Sequence, residues 1–538
     1  MIIKNGTVYD PLNGIKGEKM DLFIEDGKIV EEARGEVIDA SGMIVFPGGV
    51  DLHSHIAGSK VNLGRLMRPE DHRRDPVPRT EVTRSGTGYT VPTTYVTGYR
   101  YAILGYTTVM EAAMPPLTAR HVHEELCDIP MVDKGAYTLM GNNHFVMKYI
   151  AEGNWEKLRN YVGWLLKATK GYAIKLVNPG GVENWKWGKN VEGLDDGVEN
   201  YGVTPREIIK GLSRVNEELG LPHPIHVHCN KLGTPGKFGI VIDTVKTVVA
   251  QGGRVHITHI QFNSYGGENW ATLSSAAPEV AKAIDESPNA TCDLGQVIFG
   301  EATTMTADGP WQYNLFKLTG NKWYNSDVEM EVGAGIVPYT FKPKSLVNAV
   351  QWTIGLEVAL LVKDPWKVVL TTDHPNAGPF YHYPKVIEWL MSKRAREKTL
   401  SEIHRAASSR STLPSLDREY SLYEIAIVTR AGPAKLLGLK RKGHLGVGAD
   451  ADVAIYEFKE EDIEGSFSRA KYVIKDGEVV VKDGKVVKEV WGRTFWVSPT
   501  GELPEDAKQD FEKYYTVSLE NYPVELEYLP KSEVIPCR

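Results

Sequence analysis

Two histidines separated by one residue, His53 and His55 in GVDLHSH, offer the first chemistry in this chain. Residues i and i+2 of a strand project to one face, so both imidazoles can reach one metal ion from a strand end. Lys175 lies in AIKLVNP among apolar neighbours. A lysine in such surroundings has a depressed pKa and a neutral fraction able to react with CO2, giving an anionic oxygen ligand that can bridge two metal ions. His228 closes IHVHCN, His259 closes VHITHIQ, and Asp373 follows VVLTT. An aspartate in that setting can both touch a metal and accept a proton from activated water. His226 shares a face with His228 but lies deeper and belongs to the core layer. His256 is expected to point away from His259, toward the helices. The pair His121-x-His123, in ARHVHEEL, sits at the start of a helix, where i and i+2 diverge, and reads as a solvated face.

Positioning these groups requires strands that end together. Eight candidates alternate with helical stretches: GVDLHSH near 49–55, TTVMEA near 107–112, GAYTLMGNN near 135–143, YAIKLVNP near 172–179, IHVHCN near 225–230, VHITHIQ near 255–261, ATCDLGQV near 290–297 and VVLTTDHP near 368–375. Alternating β and α elements imply a parallel sheet, and eight strands close a (β/α)8 barrel whose chemistry sits at the C-terminal strand ends. Both chain ends have a different texture. IIKNGTVYD, DLFIEDGKIV and MIVF, then DADVAIYEF, AKYVIKDGEVVVKDGKVVKEV and TFWVSP, are alternating strands punctuated by Asn-Gly and Asp-Gly turns. The expected organisation is a composite β-sandwich from residues 1–47 and 433–500, a barrel over 48–432, and a C-terminal extension over 501–538.

Composition narrows the function. The 538 residues carry 62 Lys+Arg against 69 Asp+Glu, a net charge of −7, with 42% apolar residues. That balance fits a globular protein and gives no reason to expect a nucleic-acid partner or an anionic membrane surface. Cys127, Cys229, Cys292 and Cys537 form no C-x-x-C pair, which excludes a ferredoxin-type iron–sulfur cluster. No basic segment followed by an apolar one opens the chain, and no apolar run is long enough to span a bilayer, so the cytoplasm is the expected location. GVGADA matches G-x-G-x-x-A but precedes a strand, which disqualifies it as a dinucleotide site.

The order HxH, Lys, His, His, Asp along successive strands resembles the amidohydrolase superfamily, as do the composite end domain and GHLGVGADADVAIYE. Within it, HSHIAGSKVNLGR, RPEDHRRD, TGYRYAILGYTTVMEAAMPPLTARHVHEEL, MGNNHF and IKLVNPGGVENWKWG resemble the amidohydrolase-type subunit of formylmethanofuran dehydrogenase over nearly the whole chain. The resemblance implies two divalent metal ions, expected to be Zn2+, held by His53, His55, carboxylated Lys175 (N6-carboxylysine), His228, His259 and Asp373. It also implies a tungsten- or molybdenum-pterin subunit that reduces CO2 to formate, with iron–sulfur subunits beside it. This chain, with no redox cofactor of its own, would condense that formate with the amine of methanofuran, and Asp373 would carry the proton.

Residues 60–100 exceed an ordinary βα loop. They bring Arg65, Arg68, Arg73, Arg74 and Arg79 together with Tyr89, Tyr95, Tyr99 and Tyr101. One reading is a groove for a long, carboxylate-bearing substrate, since arginine forms bidentate carboxylate contacts. The other is internal pairing with Glu70, Asp71 and Asp75, or a subunit contact. Asn142, Asn143 and His144 after the third strand, and Trp185 and Trp187 after the fourth, are also expected to face the mouth as substrate contacts. Two other functions use the same residues: a dihydropyrimidinase- or dihydroorotase-like cyclic-amide hydrolase, and a scaffold subunit that has kept the fold without the chemistry.

Overall fold

The computed structural model describes residues 1–326 and 334–538. Eight strands lie parallel in one sheet: β1 (Gly49–Ser54), β2 (Tyr106–Met114), β3 (Asp133–Leu139), β4 (Ala173–Val177), β5 (Ile225–His228), β6 (Val255–Ile257), β7 (Ala290–Asp293) and β8 (Val368–Val369). Each pairs with the next. The ring closes where Ser54 bridges His374 in parallel and the His55 N–H donates to the His374 carbonyl at 2.7 Å. This is the (β/α)8 barrel expected from the alternating pattern, with β1 to β8 at the expected places in the chain. The helices follow from local signals as well. Pro205–Glu218 starts at a reciprocal capping box between Thr204 and Glu207, and it buries Ile208, Ile209, Leu212 and Val215 on one stripe.

Both chain ends build one nine-stranded sheet, in which Ile44–Pro47 pairs antiparallel with Val453–Tyr456. Its core joins Ile3, Val8, Leu22 and Ile24 from one end with Val453, Ile455 and Ile474 from the other. The sheet folds over until its hairpin turns meet: the Ala451 N–H donates to Gly27, and the Gly477 N–H to Ala451. Both turns place a glycine at positive φ, Gly27 at +73° and Gly477 at +82°, and their backbones approach closely enough that a Cβ on Gly477 would lie 3.0 Å from Gly27 Cα. One strand departs from the expected 433–500 grouping. Thr494–Val497 leaves this sheet and pairs parallel with β3 and with Ser532–Ile535, extending the barrel sheet. Its Phe495 and Val497 are buried against the barrel core, which alternation alone could not foresee. Residues 505–514 of the C-terminal extension form a helix whose Phe511 stacks on Tyr515 and meets Trp164 edge-on. Among the described residues no helix is long and apolar enough to cross a membrane.

A buried ion network bolts the barrel to the end domain. Asp133, at the start of β3, meets Lys442 at 2.5 Å, Lys475 at 3.0 Å and Arg493 at 3.4 Å. Lys442 also reaches Asp450 and Asp452, and Lys475 reaches Asp452 and Asp476. Removing one member strands the others in a low dielectric. Asp133→Ala should therefore cost about 3–5 kcal/mol in denaturant unfolding; a loss below about 1 kcal/mol would show that the network does not hold the two parts together.

Candidate metal centre

The candidate ligands, carried by β1, β4 and β5 and by the turns that follow β6 and β8, meet at the C-terminal mouth of the barrel, and all are buried. His53 and His55 flank the end of β1 with rings 5.5 Å apart. Asp373 Oδ1 lies 2.9 Å from His53 Nε2 and 3.4 Å from His55 Nε2. His259 brings its ring to 5.3 Å from that of His53 and 4.9 Å from that of His228. Lys175 pairs in register with His226 on the neighbouring strand, and its ammonium feels Asp373 and Asp293. Burial pushes this lysine down to about 7 against the pull of those carboxylates. Burial also holds the His53 and His259 imidazoles neutral and raises the Asp373 carboxyl.

The backbone bends to aim these groups. Asn178, His259 and Asp373, each just past a barrel strand, adopt φ of +41°, +35° and +48°. Non-glycine residues in this left-handed region cost of order 1–3 kcal/mol each, and such strain collects at functional sites. The kink at His259 corrects one expectation. β6 ends at Ile257, so the two-residue alternation does not carry through to His259. His256 therefore faces the barrel interior too, with its Nε2 3.1 Å from Asp293 Oδ2 and its ring stacked on His226. His121 and His123 diverge on their helix as expected, but His123 is not solvated. It is fully buried, with Nε2 2.9 Å from the Thr169 carbonyl.

Several acidic residues at the site went unassigned in the sequence. Asp293 ends β7 and accepts from His256, from the Thr371 hydroxyl at 2.6 Å and from the His259 N–H at 2.9 Å. Glu111 in β2 accepts from the Ile56 and Ala57 N–H groups and pairs with Lys60 at 3.1 Å. Burial would raise Glu111, but Lys60 and His55 bring it down to about 2. Asp308 holds His228 Nε2 at 3.0 Å and is itself held by the Asn178 amide. An acid closing an apolar strand is a readable signal for Asp293, as it is for Asp373, and Glu111 is an acid inside the apolar run of β2. Asp308 lies in an insertion and had no such mark.

Above the site lies a cavity of about 290 Å3 that touches His228, His259 and Asp373. Most of its walls come from the segment between β7 and β8, with Thr304, Thr306, Trp311, Leu315, Tyr339 and Phe341, while Leu232, Phe262 and Trp270 complete the lining. Gly300–Thr306 and Ala334–Phe341 form an antiparallel hairpin there, with helix Gly309–Thr319 between them. The 60–100 segment is thus not the wall of this cavity, and most of its arginines pair with the chain's own carboxylates. Arg65 pairs with Glu125 at 3.0 Å, Arg68 with Glu70 and Glu301 at 3.2 and 3.3 Å, and Arg73 is exposed. The other expected substrate contacts also lie outside the cavity lining. Asn142 donates to the Val177 carbonyl, Asn143 caps helix His144–Ala151, and His144 stacks on Tyr514 at 3.6 Å. Trp185 packs near Tyr313, and Trp187 is exposed.

The donor set suits a cation. His53 Nε2, His55 Nε2 and Asp373 Oδ1 lie within one ligand sphere, and His259 Nδ1 is buried with no hydrogen-bond partner. Imidazole and carboxylate converging on a barrel mouth, around a strand-four lysine, define a metal-dependent hydrolase of the amidohydrolase type. The family model described as "Amidohydrolase family" matches residues 36–481, and the chain belongs to that family. It is similar over its full length to Protein FwdA of Methanocaldococcus jannaschii, 53% identical across 99% of this chain and 98% of that protein. It is 41% identical to one component of the formyltransferase/hydrolase complex Fhc of Methylorubrum extorquens, across 91% of this chain and 90% of that one. The crystal structure of the M. extorquens FhcABCD complex with methylofuran contains a chain that superimposes with a TM-score of 0.93 at 38% identity, covering 100% of this chain and 99% of that one.

Divalent ions should stabilise the fold here. Adding Zn2+ at 100 times its Kd to chelator-treated protein should give about 2.7 kcal/mol per site. Calorimetry should show the corresponding rise in Tm, weakened in Asp373→Ala; a Tm indifferent to metal would dismiss the centre.

Proposed function

We propose that this chain is the amide-forming subunit of a formylmethanofuran dehydrogenase, condensing formate with the amine of methanofuran and catalysing the reverse hydrolysis of N-formylmethanofuran. The observation that carries this reading is the full-length match to a component of a hydrolase complex solved with methylofuran. The converging donors support it: His53, His55, Lys175, His228, His259 and Asp373 would hold two divalent ions, with Zn2+ suited to a nitrogen- and oxygen-rich set. Lys175 enters as a carbamate. Its neutral Nζ forms a bond to the carbon of CO2 and releases a proton, leaving a carboxylate that can bridge.

When bound, the ions would supply Lewis acidity toward the formyl oxygen and bring the pKa of water toward neutrality. The chain's own residues move the protons. In hydrolysis Asp373 takes the proton of the attacking water and passes it to the amine nitrogen as the C–N bond breaks. In synthesis formate first takes up one proton from solvent; the neutral amine then attacks its carbon, Asp373 accepts the N–H proton and passes it to the departing oxygen, which with the proton already taken up leaves as water. No electrons change hands, so reduction of CO2 falls to the tungsten- or molybdenum-pterin and iron–sulfur subunits of the same assembly.

The full chain, supplied with Zn2+ and bicarbonate, should release formate from formylmethanofuran. Lys175→Ala should abolish release, and Asp373→Asn should slow it by about 10²- to 10⁴-fold. No release from a chain holding two ions, alone or in its reassembled complex, would overturn the assignment. The depressed lysine adds a pH signature. Because only neutral Nζ reacts with CO2, the rate of metal-site assembly at fixed dissolved CO2 should fall about tenfold per pH unit well below 7 and level off above it. Reconstitution of chelated protein, followed by activity recovery, reads this directly; a flat profile from pH 5 to 8 would remove Lys175 carboxylation from the assembly step.

A further inference from the structure

A chain of three buried histidines runs from beneath the site to its edge. His223 Nδ1 lies 3.0 Å from the Leu436 carbonyl, His223 Nε2 lies 3.0 Å from His226 Nδ1, and His226 Nε2 lies 2.8 Å from His53 Nδ1. A carbonyl oxygen can only accept, so the hydrogen of His223 must sit on Nδ1. A neutral His223 then offers a bare Nε2 and takes its hydrogen bond from the Nδ1–H of His226. His226 in turn offers a bare Nε2 to the Nδ1–H of His53. The sequence of donors admits one direction only, and it ends with His53 Nε2 carrying a lone pair. That atom lies 2.9 Å from Asp373 Oδ1.

We infer that His226 and His223 are positioning residues, a relay anchored on the Leu436 carbonyl that fixes the tautomer of His53 so that Nε2 is available to a divalent ion. The inference rests on the two-ion reading of this site and extends it to residues that hold no ion themselves. The packing supports a fixed relay. His223 lies nearly parallel to Tyr137, 11° apart with centroids at 5.3 Å, and His226 is stacked on His256 at 4.9 Å. All three relay rings are fully buried, so water cannot supply a substitute donor or acceptor. Asp293 Oδ2, 3.7 Å from His53 Nδ1, is too far to take the hydrogen bond from His226. A histidine that binds metal through one nitrogen is commonly set by the partner of the other, and removing such a partner weakens metal binding about 10- to 100-fold.

Two measurements on the full chain test this. Ring-nitrogen 15N shifts of the metal-free protein, assigned by comparison with single variants, should show Nδ1–H tautomers at His223, His226 and His53; an Nε2–H tautomer at His53 overturns the relay whether or not the chain takes up metal. Zn2+ affinity by chelator competition should then fall about 10- to 100-fold in His226→Leu and in His223→Phe, with both ions still bound at saturation. His226→Gln, whose amide oxygen can accept from His53, should restore most of that loss. Unchanged affinity in His226→Leu and His223→Phe, or equal loss in the Leu and Gln variants at position 226, overturns the inference. So does loss of a whole ion at saturation, which would make His226 a ligand. A wild-type chain with wild-type tautomers that binds no divalent ion would instead reject the two-ion reading.

Discussion

With the His53 tautomer inferred above, its Nε2 lone pair and Asp373 Oδ1 face each other across 2.9 Å and repel unless something positive lies between them. Most of the structure can be understood as the means of sustaining that arrangement. A flexible frame would relieve the repulsion by moving one group away. The barrel prevents this by closing through the same residues: the hydrogen bond from His55 to His374 joins β1 to the turn that carries Asp373. The strained φ at His259 and Asp373 comes from the same requirement, because an extended continuation would carry their side chains past the common centre.

The eight strands and the order of the six polar residues were legible because both obey short-range rules. Apolar runs of strand length recur at βα spacing, and each ends in a residue type that has no business in a core unless it does chemistry. What could not be read was anything set by two distant segments. His256 was misplaced because alternation was extended through a kink that only the three-dimensional turn reveals. His123 was misplaced because its partner, the Thr169 carbonyl, lies on another helix. Thr494–Val497 has the same alternating texture as the end-domain strands, and only its neighbour decides which sheet it joins. The arginine-rich 60–100 segment stands out by composition, yet the long interval between β7 and β8 is what supplies most of the cavity wall.

That wall assigns work to different parts of the chain. Trp311, Leu315, Tyr339 and Phe341 give the cavity an apolar lining above a polar floor of His228, His259 and Asp373. Such a cavity suits a reacting group at the end of a larger, partly apolar molecule, since the walls can hold the body while the floor handles the carbonyl. Asp308 belongs to both parts. It caps the helix of the wall through the Trp311 N–H and holds the ring of His228 on the floor. Closure or displacement of that helix would therefore be felt by a candidate ligand.

The two ends of the barrel show what is distinctive about the mouth. At the bottom, Asp133, Asp450, Asp452, Asp476 and Glu533 are matched by Lys28, Arg441, Lys442, Lys475 and Arg493, so the buried charge closes on itself. At the mouth, Glu111 has Lys60. Asp293 and Asp308 are instead held by imidazoles, a hydroxyl and an amide, and Asp373 lies beside His53 and His55, with Lys175 as the nearby ammonium. Burial already drives that lysine toward neutrality, and on the proposed reading CO2 converts it into a further anion. Each of these changes deepens the deficit of positive charge in a region where water cannot compensate. Buried charge that is balanced so closely at one end of the barrel and not at the other is consistent with a cation at the mouth. On that reading the carbamate would make room for two divalent ions where a lysine ammonium would repel even one.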